Sequence, residues 1–403
     1  DKEFFILLLV LVAGVFGVFV SQDLFVFFLF YEIAVLPMYL LIGIWGSSGE
    51  VRPQGIFGWA FRRTGVGTKE YAAMKLTLYL LFGSAFILVG ILALYVAAGS
   101  TSFSFLELEL TQFDPALQWW VFLAFYVGFG ILAGIWPLHT WSPDGHASAP
   151  TAVSMLHAGV LMKLGAYGFV RLGLGLLPEG THQWVWLVGT IACINIVYGA
   201  LSAMAQTDLK YVIAYSSVSH MGVVMLGVAT LTESGLNGAV FQMFAHGIMT
   251  GLFFALVGLV YEKAHSRAIF TMGGFGRMMP GIATAFTVGS LSSLGLPATA
   301  GFVAEFLTLL GAWQSRHPWW LFPGVLGAFL TSIYVLRVAK QIFWGPQATD
   351  PHFHDLPDAQ GPEWAALVIL VFVLVLFGVA PGIAIGPVDT ATIPLLARLG
   401  VLP

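Results

Sequence analysis

Apolar runs long enough to cross a lipid bilayer follow one another along almost the whole sequence. A helix of about 20 residues spans the roughly 30 Å hydrocarbon core. The sequence predicts eleven such helices, at residues 4–20, 24–45, 71–98, 119–136, 150–171, 184–206, 209–230, 236–261, 282–311, 319–343 and 363–386. Charged residues make up 9% of the chain, whereas soluble domains carry about 25%. The predicted fold class is therefore an all-α polytopic membrane protein.

The remaining composition excludes several classes of function. The net charge of −4 argues against a nucleic-acid partner. A single cysteine, Cys193, excludes a disulfide framework within the chain. No glycine-rich phosphate loop, iron–sulfur cysteine motif or nucleophile triad is present in the sequence, so we expect no cofactor-binding site and no redox chemistry on this chain.

The distribution of basic residues predicts the orientation in the membrane. If the loop at 46–70 faces one side, alternate loops place ten basic residues there: Arg52, Arg62, Arg63, Lys69, Lys210, Lys263, Arg267, Arg277, Arg337 and Lys340. The other side receives Arg171, Arg316 and Arg398. Loops rich in lysine and arginine stay on the cytoplasmic side, so we predict that the loop at 46–70 is cytoplasmic.

Two predicted spans contain prolines and glycines that interrupt a helix, in the segments 134–153 and 292–307. Irregular backbone at membrane depth is tolerated only where protein buries it or water reaches it. Interruptions at corresponding places of two halves are typical of inverted-repeat transporters. We therefore predict halves at 4–171 and 184–343 and a separate C-terminal transmembrane helix at 363–386; simple kinks at the prolines are the alternative.

Four ionisable residues lie far from the ends of their predicted spans: Glu32, Lys163, His246 and Glu305. A charge at the bilayer centre costs about 2.5–3.5 kcal/mol on insertion scales, so such residues usually face a cavity or a partner. Buried acids, lysines and histidines on separate spans are what a proton relay requires. Structural ion pairs that fix helix contacts are the alternative interpretation.

Four further residues are secondary candidates. Lys75 and Lys210 lie near span ends, where a lysine can equally be an interfacial anchor. His139 and His157 lie with His146 around the first interruption. We expect no metal site there because neither cysteines nor a set of carboxylates accompany these histidines.

Four stretches resemble a known family: "FYEIAVLPMYLLIGIWG", "PLHTWSPDGHASAPTAVSMLHAGVLMKLGAYG", "QTDLKYVIAYSSVSHMG" and "GLPATAGFVAEF". They are similar to the antiporter-like membrane subunits of respiratory complex I, the NADH-quinone oxidoreductase, and the similarity covers essentially the whole chain. It implies a fold of fourteen helices with two inverted five-helix repeats, each containing one broken helix. The eleven spans predicted here would then begin at the fourth helix of the family.

The resemblance also implies roles for the four buried residues. Glu32 matches a glutamate that tunes a nearby lysine, and Lys163 matches the lysine at the middle of the proton channel. His246 matches a histidine that links the centre to the exit half. Glu305 matches the terminal residue of the path, which is glutamate in one type of antiporter-like subunit and lysine in the others.

At the level of the assembly, the resemblance implies a subunit that translocates protons while other subunits transfer electrons. NADH, FMN, iron–sulfur clusters and quinone are expected on those other subunits. The expected partners are further membrane subunits of the complex, especially neighbouring antiporter-like chains, and the lipid bilayer. The expected location is the inner (plasma) membrane of a bacterium.

The sequence departs from the family at one position. The family usually has a lysine at the first broken helix, paired with the position of Glu32, but the corresponding residue here is Leu132. Candidates for a replacement partner are His157, His139 and Lys75. The alternative is a chain that no longer pumps protons in this half.

Two other functions remain open at the level of the sequence. The same motifs occur in subunits of multisubunit sodium/proton antiporters and of membrane-bound hydrogenase-type complexes. A structural membrane subunit with an inactive channel is the third interpretation. Sodium dependence of transport separates a complex I subunit from a sodium/proton antiporter subunit. The effect of replacing Lys163 tests whether the chain is only structural.

Overall fold

The computed structural model describes residues 2–48, 66–99 and 102–401, and these residues form helices without a named strand. Three of the basic residues that predict the orientation, Arg52, Arg62 and Arg63, lie outside the described residues. The described chain divides into two compact units, residues 1–188 with 398–400 and residues 189–397 with 401–403.

The first unit contains seven helices among its described residues, and helix α8 begins in it. The bounds are α1 Lys2–Val20, α2 Leu24–Trp45, α3 Lys69–Ala98, α4 Phe105–Leu110, α5 Pro115–Ala133, α6 Trp141–Ser148 and α7 Thr151–Leu174. Helix α8, Pro178–Ala205, runs past the division between the units at residues 188 and 189.

The second unit contains the rest of α8 and, among its described residues, seven further long helices. Their bounds are α9 Leu209–Ala229, α10 Glu233–Ala264, α11 Pro280–Ser293, α12 Ala300–Gln314, α13 Pro318–Trp344, α14 Pro362–Val379 and α15 Gly382–Arg398. The α9 helix is the most enclosed span, because 94% of its most apolar window is buried. Its serine- and histidine-containing sequence agrees with this position.

Ten helices of the described chain are long and apolar enough to cross a membrane. The remaining predicted run, 282–311, is divided between α11 and α12, which have 14 and 15 residues. The all-α polytopic membrane fold predicted from the apolar runs is therefore confirmed.

Both predicted interruptions are present, and each begins at a glycine. Helix α5 ends at Ala133 and is capped by Gly134, which has φ 72° and donates its backbone amide to the carbonyls of Gly130 and Ile131. Helix α11 ends just before Gly295, which has φ 74°. Glycine adopts this left-handed conformation without the clash that a Cβ atom would cause. A glycine therefore lies at the interruption in each unit.

The predicted span at 363–386 is wrong at its C-terminal end. Helix α14 stops at Val379, and a separate helix, α15, begins at Gly382. Pro381 has no amide hydrogen and disfavours a helical conformation at the preceding residue. The apolar composition continues through this proline, which is why hydropathy alone extended the span.

The helices α2 and α9 begin in the same way. Asp23 and Asp208 are the N-caps. Each side chain accepts hydrogen bonds from the backbone amides two and three residues further along the chain. Each of these aspartates also forms an isolated antiparallel bridge, with Ser104 and Ala268 respectively. The same combination of an aspartate N-cap and an isolated bridge thus occurs once in each unit.

Candidate functional site

Lys163 lies in the interior of the first unit, on α7, and only 4% of the residue is exposed. The helix changes to a π-helical turn at His157–Leu161, just before the lysine. The Lys163 ammonium donates a hydrogen bond to the carbonyl of Ala158 in this turn. Such π-helical turns occur frequently at functional sites. Here the turn supplies an oxygen acceptor for the buried lysine.

Two buried imidazole rings accompany Lys163 in the first unit. The His157 ring stacks on Trp141, with ring centroids 5.3 Å apart, and its centroid lies 4.1 Å from that of His146. Nε2 of His146 lies 3.3 Å from the sulfur of Met162. Within the described part of the chain, neither ring nitrogen of His157 has a hydrogen-bond partner. An unsatisfied buried polar group is costly, so His157 is a candidate for a functional role.

An ion pair joins α3 to α6 beside these rings. Nζ of Lys75 lies 2.8 Å from Oδ2 of Asp144, and the two side chains are 18% and 26% exposed. His139 is buried and lies close enough to Lys75 to interact with its charge. The pair is therefore more exposed than the buried rings beside it.

Glu32 has a different environment from the one that the family resemblance implies. Its carboxylate lies beside Ser84, and its Oε1 atom is buried without a hydrogen-bond partner among the described residues. Lys75, one candidate for the missing partner, is paired with Asp144, while Leu132 is fully buried. No ion pair of Glu32 occurs within residues 2–48, 66–99 and 102–401.

In the second unit, the predicted residues His246 and Glu305 both lie beside His220, which was not among the predicted site residues. Nδ1 of His220 lies 3.4 Å from Oε1 of Glu305, and the His220 and His246 ring centroids are 5.3 Å apart. His220 also contacts Nε2 of Gln242 through Nδ1, at 3.3 Å, and Oγ of Ser293 through Nε2, at 3.2 Å. A buried polar cluster thus connects α9, α10, α11 and α12.

The two partners of His220 Nδ1 suit different protonation states. A protonated Nδ1 donates to the Glu305 carboxylate, whereas an unprotonated Nδ1 accepts from the Gln242 amide. An imidazole can carry a proton on either ring nitrogen or on both. The arrangement therefore allows the hydrogen bonding of His220 to follow the movement of a proton.

His220 is the functional candidate that reasoning from the sequence missed. The residue lies near the middle of α9, in the most polar of the predicted spans. A histidine at that depth is itself a signal for a polar contact. The partners, however, come from three other helices, and their proximity is a property of the folded unit.

Lys210 lies at the start of α9, next to a separate ion pair. Nε of Arg267 is 3.3 Å from Oδ2 of Asp208, and Oδ1 of Asp208 accepts the backbone amide of Lys210 at 2.8 Å. Burial raises the pKa of the Asp208 carboxyl, although Arg267 and the capping amides lower it. Lys210 is itself 5% exposed, so it belongs to a buried charged group at this helix end.

The family description "NADH:quinone oxidoreductase/Mrp antiporter, TM" matches residues 61–331 of the chain. A relative described as chain 4 of the NAD(P)H-quinone oxidoreductase of Synechococcus sp. (strain JA-3-3Ab) is 39% identical over 405 residues, covering 99% of this chain and 73% of the relative. Subunit M of the NADH-quinone oxidoreductase of Rhodobacter capsulatus is 38% identical over 404 residues, covering 96% and 74%.

A solved structure is also similar over almost the whole chain. A chain of the respiratory complex I from Thermus thermophilus with bound NADH superposes with a TM-score of 0.88 and 31% sequence identity. The match covers 99% of the present chain and 80% of that chain. The likeness in fold and sequence therefore extends over both units.

Proposed function

The chain belongs to the NADH:quinone oxidoreductase/Mrp antiporter transmembrane family, and we propose that it translocates protons through buried ionisable groups in both of its units. It is an antiporter-like membrane subunit of the NADH-quinone oxidoreductase type, as are its relatives called subunit M and chain 4. The observation that carries the proton path is the burial of Lys163, His246 and Glu305, which are 4%, 1% and 8% exposed. Because burial of charge at membrane depth is costly, these residues are best explained by function.

In this proposal the first unit takes up protons from the cytoplasmic side. Lys75 and Asp144 form the water-accessible pair, the buried rings of His146 and His157 follow, and Lys163 is the inner acceptor. Protons move between groups within hydrogen-bond reach, directly or through one water. Glu32 and His139 supply charge and polarity in this half.

The second unit releases the proton on the opposite side. His246 and His220 receive the proton, and Glu305 holds it before release. The transfer from His220 to Glu305 is direct because the imidazole and the carboxylate are in contact. Lys210, beside Asp208 and Arg267, has a secondary role at the cytoplasmic end of α9. This orientation rests on the distribution of basic residues.

The assembly around the chain follows from the same proposal. Membrane subunits of the complex, including neighbouring antiporter-like chains, would contact it, and the membrane would be the bacterial plasma membrane. NADH, FMN, iron–sulfur clusters and quinone would bind to other subunits. The chemistry of this chain supports that division, since the buried Lys163, His246 and Glu305 can carry protons and its one cysteine, Cys193, is buried.

Sodium dependence distinguishes this function from a sodium/proton antiporter. Inside-out membrane vesicles that contain the complex are expected to acidify their lumen equally with sodium or choline as the only added monovalent cation. The lysine ammonium and the imidazoles carry protons and cannot ligate sodium, and the carboxylates of Asp144 and Glu305 are already paired with Lys75 and His220. Acidification that requires sodium during NADH oxidation would contradict the proposal and favour the antiporter.

Replacing His157 with leucine tests the uptake half. We expect fewer protons translocated per NADH oxidised, because a positioned proton carrier typically contributes on the order of 10²–10⁴ to a transfer rate. The substitution removes an unpartnered polar group and keeps an apolar contact with Trp141, so loss of folding is not expected. The exposed His352 provides the control, His352→Leu. A His157→Leu complex that pumps like the wild type would remove His157 from the path.

A further inference from the structure

Helix α15 of the second unit contains one acidic residue, Asp389. Its Oδ1 atom accepts a hydrogen bond from the Asn237 amide at 2.5 Å. The Asn237 carbonyl oxygen in turn accepts from the Thr392 hydroxyl at 2.6 Å. Asn237 and Thr392 are 5% and 3% exposed, whereas Asp389 is partly exposed. A buried amide therefore fixes a carboxylate that still reaches the surface.

A buried threonine on the helix of Glu305 packs against α10 next to Asn237. Thr308 is one turn beyond Glu305 on α12 and is fully buried. Its Oγ1 atom has no hydrogen-bond partner among the described residues. Thr308 packs directly against Gly238, the neighbour of Asn237 on α10. Thr308 thus joins the helix turn that carries Glu305 to the helix turn whose Asn237 holds Asp389.

The position along the helices agrees with a release site. Asn237 lies near the start of α10, directly after the hairpin at 230–232. That hairpin follows the C-terminal end of α9, while the basic Lys210 lies at the N-terminal end of the same span. In the proposed orientation, the Asn237–Asp389 pair is therefore on the side where protons leave.

We propose that Asp389 is the outlet carboxylate of this chain. A proton leaves the Glu305 carboxyl, passes the Thr308 hydroxyl and intervening water, binds the Asp389 carboxylate and is then released to the aqueous phase. Asn237 and Thr392 position the acceptor. The inference rests on the proposed proton path and extends it to a helix beyond the region that the family description matches.

Asp389→Asn separates proton transfer from anchoring of α15. The variant keeps an oxygen that can accept from Asn237 and removes the titratable group. We expect a loss of protons released per NADH oxidised in inside-out vesicles, and recovery of the ratio in Asp389→Glu. The exposed Asp355 supplies the matched control, and Asp355→Asn is expected to retain the wild-type ratio.

A wild-type ratio in Asp389→Asn would overturn the proposal and leave Asp389 as an anchor only. If Asp389→Asn prevents assembly, Thr308→Val tests the same route by removing only the hydroxyl; an unchanged ratio in that variant is also contrary to it. Lys163→Ala separates this inference from the proposed function. Loss of pumping in Lys163→Ala with normal pumping in Asp389→Asn would refute the outlet alone.

Discussion

Replacing Lys163 with alanine is expected to abolish proton translocation through this chain while the complex continues to transfer electrons from NADH to quinone. The ammonium is buried and donates a hydrogen bond to the backbone carbonyl of Ala158. Alanine leaves no group at this depth that can hold a proton. Proton uptake and NADH oxidation are measured in the same inside-out vesicles, and the ratio of the two rates gives the result.

Lys163→Arg separates proton transfer from charge. Arginine keeps the positive charge but does not release its proton at physiological pH, so we expect this variant to lose pumping as well. Lys340, an exposed lysine at the start of the π-helical turn in α13, provides the control, Lys340→Ala. Normal pumping in Lys163→Ala would support a structural membrane subunit and reject the proton path. Recovery in Lys163→Arg would assign the residue a purely electrostatic role.

The features that could be predicted from sequence are those determined by neighbours along the chain. Hydropathy over about 20 residues determines whether a segment can span the bilayer, and the ends of α2 and α9 agree with the apolar runs within one residue. The two interruptions were equally local, since proline and glycine act on the backbone of their own segment. Pro381 shows the limit of hydropathy, because the apolar composition continues through a helix end.

The polar contacts could not be predicted because they join residues far apart in sequence. Lys75 pairs with Asp144, 69 positions away on α6. Because of this contact, Lys75 is not the partner of Glu32. His220 was missed because its significance depends on Glu305, Gln242 and Ser293. Such contacts depend on helix packing, which the composition of a single span does not encode. The resemblance to a family likewise indicated Glu305 without indicating its histidine.

Replacing Glu305 with glutamine is expected to reduce proton flux through this chain by roughly 100-fold or more, the scale on which loss of a positioned acid or base acts. Glutamine has nearly the same shape but has no carboxyl group to bind and release a proton. It also removes the negative charge that lies 3.4 Å from His220 Nδ1. Protons translocated per NADH oxidised are measured, with Glu363→Gln as the control, because Glu363 pairs with Lys263 outside this cluster.

The double variant with His220→Gln shows whether the two residues perform one step. If the proton passes between Glu305 and His220, either single substitution blocks the same transfer. The double variant is then expected to pump as much as the single variant that pumps less. Independent contributions would instead multiply, since non-interacting sites add in free energy and interacting ones do not. Multiplying losses would place the two residues on separate routes, and a wild-type ratio in Glu305→Gln would exclude Glu305 from the path. A shared loss would indicate that Glu305 and His220 perform a single proton transfer, across the contact of 3.4 Å between His220 Nδ1 and Glu305 Oε1.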